Sequence, residues 1–469
     1  MKIKSIIALG IVALTLGACD SSFLKEYSQD LSRPTTATDL EELLMGDCLM
    51  PLGYINIENY TLLIQNTNYA VLHFMGDELQ ENISVSGRPE PTTTAPEYYR
   101  FFTWQRNTFV DYEGRESYTS NEANYWNLAY EKIDRCNMVL GQADEMSFSN
   151  NEDKLLAQHI KGECHYLRAS YYLTLVNLYG KPYTPAMASQ TPGVPIKTTN
   201  YIEDKTYSRN SVAECYDQIV SDLSAAEQEL ADVDKPQTIY HVGLTAVYIL
   251  RSRVALYMQD WDTAIEYASI LIDDKKNTFK LADAKTKYNA DYTFFDYMWA
   301  YDLSYEIIWR IGFTETSYGS PLGTVFLNFT KDLTYYYPDY VPATAALNLY
   351  DAADLRYSGY FAGKEQGLTI GYTNGLDWPM LVKYYGNRNF TSKLIFHVSM
   401  PKPFRLAEQY LIRAEAYCRK NDFTKAGNDL TALRKMRYAS GGTLNVSKNN
   451  WLQTISDERL RELYMEGFR

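Results

Sequence analysis

The sequence has few of the residues and none of the short motifs that usually mark an enzyme active site or a metal centre. It contains five histidines in 469 residues, and the nearest two, His159 and His165, are six positions apart, on different faces of a helix. The chain has no H-E-x-x-H, no C-x-x-C, no phosphate-binding glycine loop and no G-x-S-x-G. We therefore predict no catalytic residue, no cofactor and no metal ligand.

Cysteine is also scarce, with six in the whole chain. Five of them lie beyond the first nineteen residues, at widely spaced positions: Cys48, Cys136, Cys164, Cys215 and Cys418. An odd number at such spacing is unlike the framework of a small disulfide-rich protein. We expect buried free thiols, with a single bridge between Cys136 and Cys164 as the alternative.

Basic residues are outnumbered, with 45 lysines and arginines against 58 aspartates and glutamates, and the net charge is −13. A surface of this sign repels nucleic acid and anionic lipid, so we expect neither as a partner. The acids leave one enzymatic alternative open, because a glycosidase needs only two carboxylates that face a cleft. Abundant acids are nevertheless mostly solvated charges, and we predict that the protein is not an enzyme.

Long apolar runs are absent except near the start, where residues 6–16 form a run of eleven. This run is too short to span a bilayer and follows two lysines, as in a secretory signal. Leu16-Gly17-Ala18-Cys19 resembles the bacterial lipobox, in which the cysteine is acylated and the chain is cut before it. We expect a signal peptide at 1–18, a lipidated Cys19 and a tether over 19–38. The alternative is an ordinary cleaved signal with a chance cysteine.

Several segments carry clear helix signals. The apolar spacing after Asn121 predicts a helix that Gly141 closes, and a longer helix follows Asn150 and ends at Gly180. Ser211-Val212-Ala213-Glu214 predicts a further helix start, because its serine and glutamate can satisfy each other's free backbone N–H groups.

A short pattern recurs late in three of the predicted helices. It reads R-A-S-Y-Y at 168–172, R-V-A-L-Y at 253–257 and R-A-E-A-Y at 413–417. After the last two copies, an aromatic residue and an alanine follow on the next helix, as Trp261 with Ala264 and Phe423 with Ala426. Small residues at a helix crossing predict tetratricopeptide-like hairpins. The alternative is chance similarity between amphipathic helices.

Two stretches lack helical periodicity and are rich in aromatic residues. The first covers residues 82–120, and the second covers residues 274–403, with 16 tyrosines between positions 288 and 385. Residues 306–313 read as a short buried strand that contains Trp309. We expect both stretches to be loop-rich insertions.

Six segments in the same order resemble the SusD/RagB family of outer-membrane lipoproteins. They are C-D-S-S-F-L from Cys19, Y-W-N-L-A-Y-E-K-I-D-R-C-N at 125–137, G-E-C-H-Y-L-R-A-S-Y-Y-L-T-L-V-N-L-Y-G at 162–180, Y-D-A-A-D-L-R at 350–356, R-L-A-E-Q-Y-L-I-R-A-E-A-Y at 405–417 and E-R-L-R-E-L-Y-M-E-G-F-R at 458–469.

The resemblance implies a mostly helical, SusD-like fold with one domain over residues 39–469. A tetratricopeptide-like scaffold of four hairpins would occupy about 121–273 and 404–469, with ligand-side insertions at about 82–120 and 274–403. Family members usually continue past the last of these segments, so the resemblance also implies further chain after Arg469.

The resemblance further implies a location and a partner. We expect the protein at the outer membrane, anchored through Cys19, facing the cell exterior and covering the mouth of a SusC-like TonB-dependent transporter. Its ligand would be an oligosaccharide. The alternatives are a peptide, as for members that resemble RagB, a glycan-cleaving surface enzyme, and a free-standing scaffold that binds proteins but no nutrient.

Exposed aromatic rings are the best candidates for sugar binding, because sugar rings present flat C–H faces that stack on them. In the family such residues tend to come from the segment before the first hairpin and from the central insertion. We assign Trp126, Trp261 and Trp309 to packing. The remaining candidate ligand-binding residues are Trp104, Trp299, Tyr336 and Trp378. Tyr336 stands for the run 335–337, which cannot all face one core if it is extended.

Overall fold

The structure is a computed structural model that describes most of the predicted helical part of the chain. The described residues are 34–49, 74–81, 101–104, 125–148, 150–201, 203–232, 241–274, 279–286, 307–309, 328–329, 335–336, 340–362, 380–381, 404–440, 442–444, 446 and 449–467. Within these ranges helices dominate and the strands are two or three residues long, which confirms the predicted mostly helical fold. Among the helices described, none is long and apolar enough to cross a membrane.

The helices are numbered here in chain order. They are α1 (Ala37–Leu43), α2 (Tyr125–Glu145), α3 (Asn151–Tyr179), α4 (Val212–Leu230), α5 (Leu244–Met258), α6 (Trp261–Ile272), α7 (Thr344–Leu347), α8 (Leu355–Tyr360), α9 (Leu406–Arg419), α10 (Phe423–Lys435) and α11 (Trp451–Glu462).

Helix α1 begins at Ala37, two residues before the predicted start of the domain at residue 39, and the boundary itself stays a prediction. A capping box explains this start: the Thr36 hydroxyl accepts the N–H of Asp39, and the Asp39 carboxylate accepts the N–H of Thr36. A π-helical turn, Leu44–Cys48, follows directly and buries Leu44 and Cys48 in the core. The predicted signal peptide and Cys19 lie outside the described residues.

The two predicted helices that follow are α2 and α3. Helix α3 starts and ends as the sequence predicts, because the Asn150 side chain accepts the N–H of Asp153 at 2.7 Å and Gly180 caps the other end. Helix α2, however, continues through Gly141 to Glu145, so the predicted end is wrong. Gly141 has a different role, since a Cβ there would lie 1.9 Å from the side-chain nitrogen of Asn200. Glycine lets the loop before α4 pack directly on α2.

Helix pairs α5–α6 and α9–α10 are two hairpins of the same construction. Each turn places one residue in the left-handed region, Gln259 at φ 63° and Asn421 at φ 64°. An aspartate then caps the second helix, Asp260 through the N–H of Thr263 and Asp422 through that of Lys425. The two alanines of the sequence pattern, Ala264 and Ala426, are fully buried. The predicted tetratricopeptide-like hairpins are confirmed here.

The arginine of the recurring pattern makes a buried ion pair with the next helix packed on it. The three pairs are Arg168 Nη2 with Asp222 Oδ1 of α4 at 2.5 Å, Arg253 Nη2 with Glu408 Oε2 of α9 at 2.6 Å, and Arg413 Nη2 with Asp429 Oδ1 of α10 at 2.7 Å. Breaking such a pair would leave a buried charge, which is strongly unfavourable. These pairs therefore favour the observed neighbours over other helix packings.

Short antiparallel strand pairs lie within the second insertion or join it to other parts of the chain. They are β1 (Leu79–Glu81) with β5 (Tyr340–Pro342), β2 (Ile307–Trp309) with β8 (Phe404–Arg405), β3 (Asn328–Phe329) with β4 (Tyr335–Tyr336), and β6 (Phe361–Ala362) with β7 (Met380–Leu381). Strand β2 confirms the predicted strand at residues 307–309, whereas residues 306 and 310–313 lie outside the described residues. Its partner β8 leads directly into α9, so the second insertion is attached at the start of a scaffold helix.

A buried carboxylate, Glu462 at the end of α11, connects the C-terminal helices to the second insertion. Its oxygens accept hydrogen bonds from Arg356 Nη1 at 3.0 Å, Arg405 Nη1 at 2.9 Å and Arg437 Nη2 at 2.9 Å. All four side chains are shielded from solvent. Burial alone would raise the pKa of Glu462, but the three guanidinium groups hold it well below its usual range.

The network continues one helical turn earlier, at Glu458. Its carboxylate pairs with Arg356 at 2.7 Å, Arg434 at 2.6 Å and Arg461 at 2.6 Å. Burial opposes its ionisation, yet these cations lower the pKa of Glu458 to about 2. The R-L-R-E segment at 459–462 and the D-L-R segment at 354–356 therefore stabilise the fold.

Glu462→Gln should lower the free energy of unfolding by about 3–5 kcal/mol at pH 7, because three buried arginines lose a common counter-charge. Folding lowers the pKa of Glu462 from its unfolded value of 4.5. The stabilisation from its ionised carboxylate is therefore complete above pH 4.5 and is lost as the pH falls towards and through the pKa of the folded state. The difference between wild type and variant should thus shrink below about pH 4.5. Urea unfolding at several pH values measures both effects.

The matched control is Glu131→Gln, the same substitution at an exposed glutamate of α2, 3.9 Å from Lys132 and 52% exposed. Exposed ion pairs contribute up to about 1 kcal/mol, so this variant should unfold nearly like wild type. Equal losses in both variants would contradict a special role for Glu462.

Candidate functional site

Trp104 is the predicted ligand-binding residue whose side chain the structure describes, and it is 68% exposed. It ends a short turn in which its backbone N–H donates to the Phe101 carbonyl at 3.1 Å. Phe101 itself is buried and holds the turn on the protein. The sequence thus identified an indole ring that faces solvent from an anchored position.

The backbone of Trp104 is strained. Its φ of +54° lies in the left-handed region, which costs a residue other than glycine about 1–2 kcal/mol. Such conformations persist where the surrounding structure enforces them, and they concentrate at binding sites. Exposure and strain at one aromatic residue make Trp104 a candidate binding platform, and its role in binding stays a prediction.

The other predicted ligand-binding residues stay predictions. Trp299 and Trp378 lie outside the described residues. Tyr336 lies in β4, opposite Asn328 of β3, and the structure describes its backbone alone. The extended conformation at 335–336 agrees with the premise that neighbouring tyrosines point to opposite sides.

Two tryptophans that the sequence assigned to packing are half-buried against the core. Trp126 contacts Tyr130 and Tyr179, with ring centroids 5.1 Å and 5.0 Å away. Trp261 packs against the hairpin crossing, where Arg419 lies 5.7 Å from its ring. Both assignments to packing are confirmed.

The loop before α4 carries an exposed aromatic residue that sequence reasoning missed. Tyr201 is 62% exposed, and the neighbouring Glu203 accepts hydrogen bonds from Thr199 at 2.8 Å, Lys205 at 2.6 Å and the Tyr207 hydroxyl. The Lys205 ammonium, with help from the two hydroxyls, lowers the pKa of Glu203 to about 2. The exposed Tyr201 ring therefore lies near charged and hydroxyl groups that suit a polar ligand. No sequence motif indicates this residue.

Five buried acids of the scaffold are paired with arginine. Asp222, Glu408 and Asp429 pair with the arginines of the recurring pattern, and Glu458 and Glu462 belong to the C-terminal network. A general acid for glycoside hydrolysis needs a raised pKa in a cleft. The pKa values of Asp222, Glu458 and Glu462 are lowered because nearby cations outweigh burial, whereas burial raises the pKa of Asp429 despite its pair with Arg413. Each of the five carboxylates is held in a buried ion pair with arginine, which assigns it to the packing of the scaffold.

Three cysteines meet in the core where α1, α2 and α3 pack. The five described cysteines are free and buried, which confirms the expected free thiols and not the Cys136–Cys164 bridge. Cys48, Cys136 and Cys164 have their sulfur atoms within 4.8 Å of one another and could hold a metal ion. Burial raises the pKa of the Cys136 and Cys164 thiols, whereas hydrogen bonds from those two thiols lower the pKa of Cys48 to about 5.

His159, Glu163 and His241 form a second group of possible metal ligands, with ligand atoms within 4.8 Å of one another. The sequence predicted no such group because His241 is 78 positions from Glu163. One signal was available: His159 and Glu163 are four residues apart and share a helix face.

Comparisons with known proteins match both halves of the chain to related family models. A model described as "Starch-binding associating with outer membrane" matches residues 61–256, and one described as "SusD family" matches residues 325–469. The starch-binding protein SusD of Bacteroides thetaiotaomicron is 35% identical over 126 residues, 25% of this chain. That match spans only 21% of the length of this curated relative.

Solved structures match over nearly the whole chain. A SusD superfamily protein from Bacteroides thetaiotaomicron has a TM-score of 0.71 and 22% identity, over 92% of this chain and 87% of its own. A SusD-like carbohydrate-binding protein from Bacteroides vulgatus has a TM-score of 0.67 and 23% identity, over 93% and 82%. Identities this low show a common fold alone.

Proposed function

The chain belongs to the SusD family, and we propose that it is a cell-surface lipoprotein that binds oligosaccharides and delivers them to a SusC-like TonB-dependent transporter. The names of its relatives support a carbohydrate ligand, because one is a starch-binding protein and another is called carbohydrate-binding. The proposed anchor is the acylated Cys19.

The single observation that carries this proposal is the exposed, strained indole of Trp104. A flat ring of this size stacks on the C–H face of a pyranose and needs no charge. The turn is held by Phe101, so little flexibility would be lost when a ligand binds. A hydrolase is less well supported, because five buried carboxylates of the scaffold are paired with arginine.

Trp104→Ala should weaken glycan binding at least about 30-fold, the effect of removing a central aromatic contact of about 2 kcal/mol. The ring is exposed, so its loss should leave the free energy of unfolding within about 0.5 kcal/mol of wild type. An oligosaccharide array identifies the ligand, and titration calorimetry then compares wild type, Trp104→Ala and Trp104→Phe.

Tyr201→Ala tests the competing candidate, since it removes another exposed ring from a different loop. Loss of affinity in this variant alone would move the site to the loop before α4. Binding of peptides and not of glycans would favour the RagB-like alternative, and slow cleavage of the bound glycan would replace transport by enzymatic activity.

Cys19→Ala should release the protein from the membrane to the soluble fraction, because several acyl chains together anchor a protein durably. Fractionation of native cells followed by detection of the protein in each fraction measures the change. A Cys48→Ala variant serves as control, because that thiol is buried in the fold. A Cys19→Ala protein that stays membrane-bound would contradict the lipid anchor.

A transporter partner should co-purify with the wild-type protein from native membranes in mild detergent. The stacked helices present broad rigid faces, which suit a large and stable contact. Recovery of the protein with no outer-membrane barrel at all would favour the alternative of a free-standing scaffold protein.

A further inference from the structure

Three side chains converge on one point between α3 and the start of α5. His159 and Glu163 lie one turn apart on α3, and His241 comes three residues before α5. His159 Nε2 and His241 Nδ1 both lie 2.9 Å from the same carboxylate oxygen, Oε1 of Glu163. Two imidazole nitrogens therefore face one oxygen from two separate segments of the chain.

The second oxygen of Glu163 is occupied, and this fixes the orientation of the carboxylate. Oε2 accepts the backbone N–H of Val242 at 2.9 Å, and Val242 is buried. Outer contacts of this kind hold a ligand in the direction that a metal requires. Oε1 is thus directed at the two imidazoles by the backbone itself.

The three side chains are mostly buried but remain partly accessible to solvent. The Glu163 side chain is 3% exposed, that of His159 is 12% exposed and that of His241 is 22% exposed. Glu41 of α1 is close enough for its negative charge to act on the imidazole of His241. A nearly buried carboxylate, two imidazoles and a neighbouring negative charge form a surrounding that favours a cation.

We propose that His159, Glu163 and His241 bind one divalent transition-metal ion, with Zn²⁺ as the best fit. Two imidazoles and one carboxylate are ligands typical of zinc, whereas calcium and magnesium take sets made of oxygen atoms. With bonds of about 2.1 Å, tetrahedral ligand atoms lie roughly 3.4 Å apart. The 2.9 Å spacings therefore need to open by about 0.5 Å, and a water molecule completes the fourth position.

The expected role of this ion is structural. It would tie α3 to the chain just before α5, two elements of the helical scaffold that are distant in sequence. A metal that binds the folded chain and not the unfolded one stabilises the fold by mass action.

The test uses the full chain carrying Cys19→Ala, purified without a histidine tag, freed of metal with a chelator and then titrated with ZnCl₂. We expect one zinc ion per chain by calorimetry and elemental analysis, and a melting temperature higher by at least about 2 °C at saturating zinc. Co²⁺ in place of zinc should give the absorption of nitrogen and oxygen ligands, without a thiolate-to-metal charge-transfer band. No binding, or a single bound ion whose cobalt spectrum shows that band, would overturn the proposal.

Variants separate this site from the cysteine cluster. His241→Ala should weaken zinc binding at least about tenfold, since it removes one of three protein ligands. His165→Ala is the matched control: His165 is on the same helix, and its Nδ1 lies 3.2 Å from Asp222 instead. Cys48→Ser should bind zinc like wild type. Retention of zinc by His241→Ala, or its loss from Cys48→Ser, would overturn the assignment. If a variant fails to fold, the cobalt spectrum of the wild-type protein still distinguishes the histidine site from the cysteine cluster.

Discussion

A carboxylate that cannot reach water must be neutralised inside the protein, and the fold depends on how this is done at Glu462. Its counter-charges come from Arg356 in the second insertion, Arg405 at the start of α9 and Arg437 after α10. An ionised group without these partners would cost several kcal/mol to bury. The ion pairs therefore couple the folding of the insertion, the last hairpin and α11. This explains why three separate segments that resemble the SusD/RagB family contain arginine or glutamate at these positions.

The same principle organises the helix stack. Each copy of the recurring pattern supplies an arginine, and each arginine finds its acid on a different helix: Asp222, Glu408 or Asp429. Apolar faces alone would allow a helix to slide or exchange neighbours, because hydrophobic contact is not directional. A buried bidentate pair removes that freedom, since a wrong neighbour leaves two charges unpaired.

Local features could be predicted from the sequence, and features that depend on distant residues could not. The caps at Asn150 and Ser211 involve residues three positions apart, so the sequence contains the whole interaction. Gly141 misled because its role depends on Asn200, which packs against it from another loop. The role of His241 could not be predicted either, because its partner Glu163 is 78 positions away in the sequence. At the candidate site the sequence identified Trp104, but not its left-handed backbone, which the fold imposes.

A scaffold held by buried ion pairs and an exposed, strained aromatic ring are both features that a ligand-binding protein of the proposed kind needs. A turn at φ +54° would relax unless its neighbours hold it, and Phe101 contributes by burying its ring beside that turn. Weak ligands such as sugars give little binding energy per contact, so any order they must impose on the protein reduces affinity directly. A platform that is ordered before the ligand arrives avoids that loss.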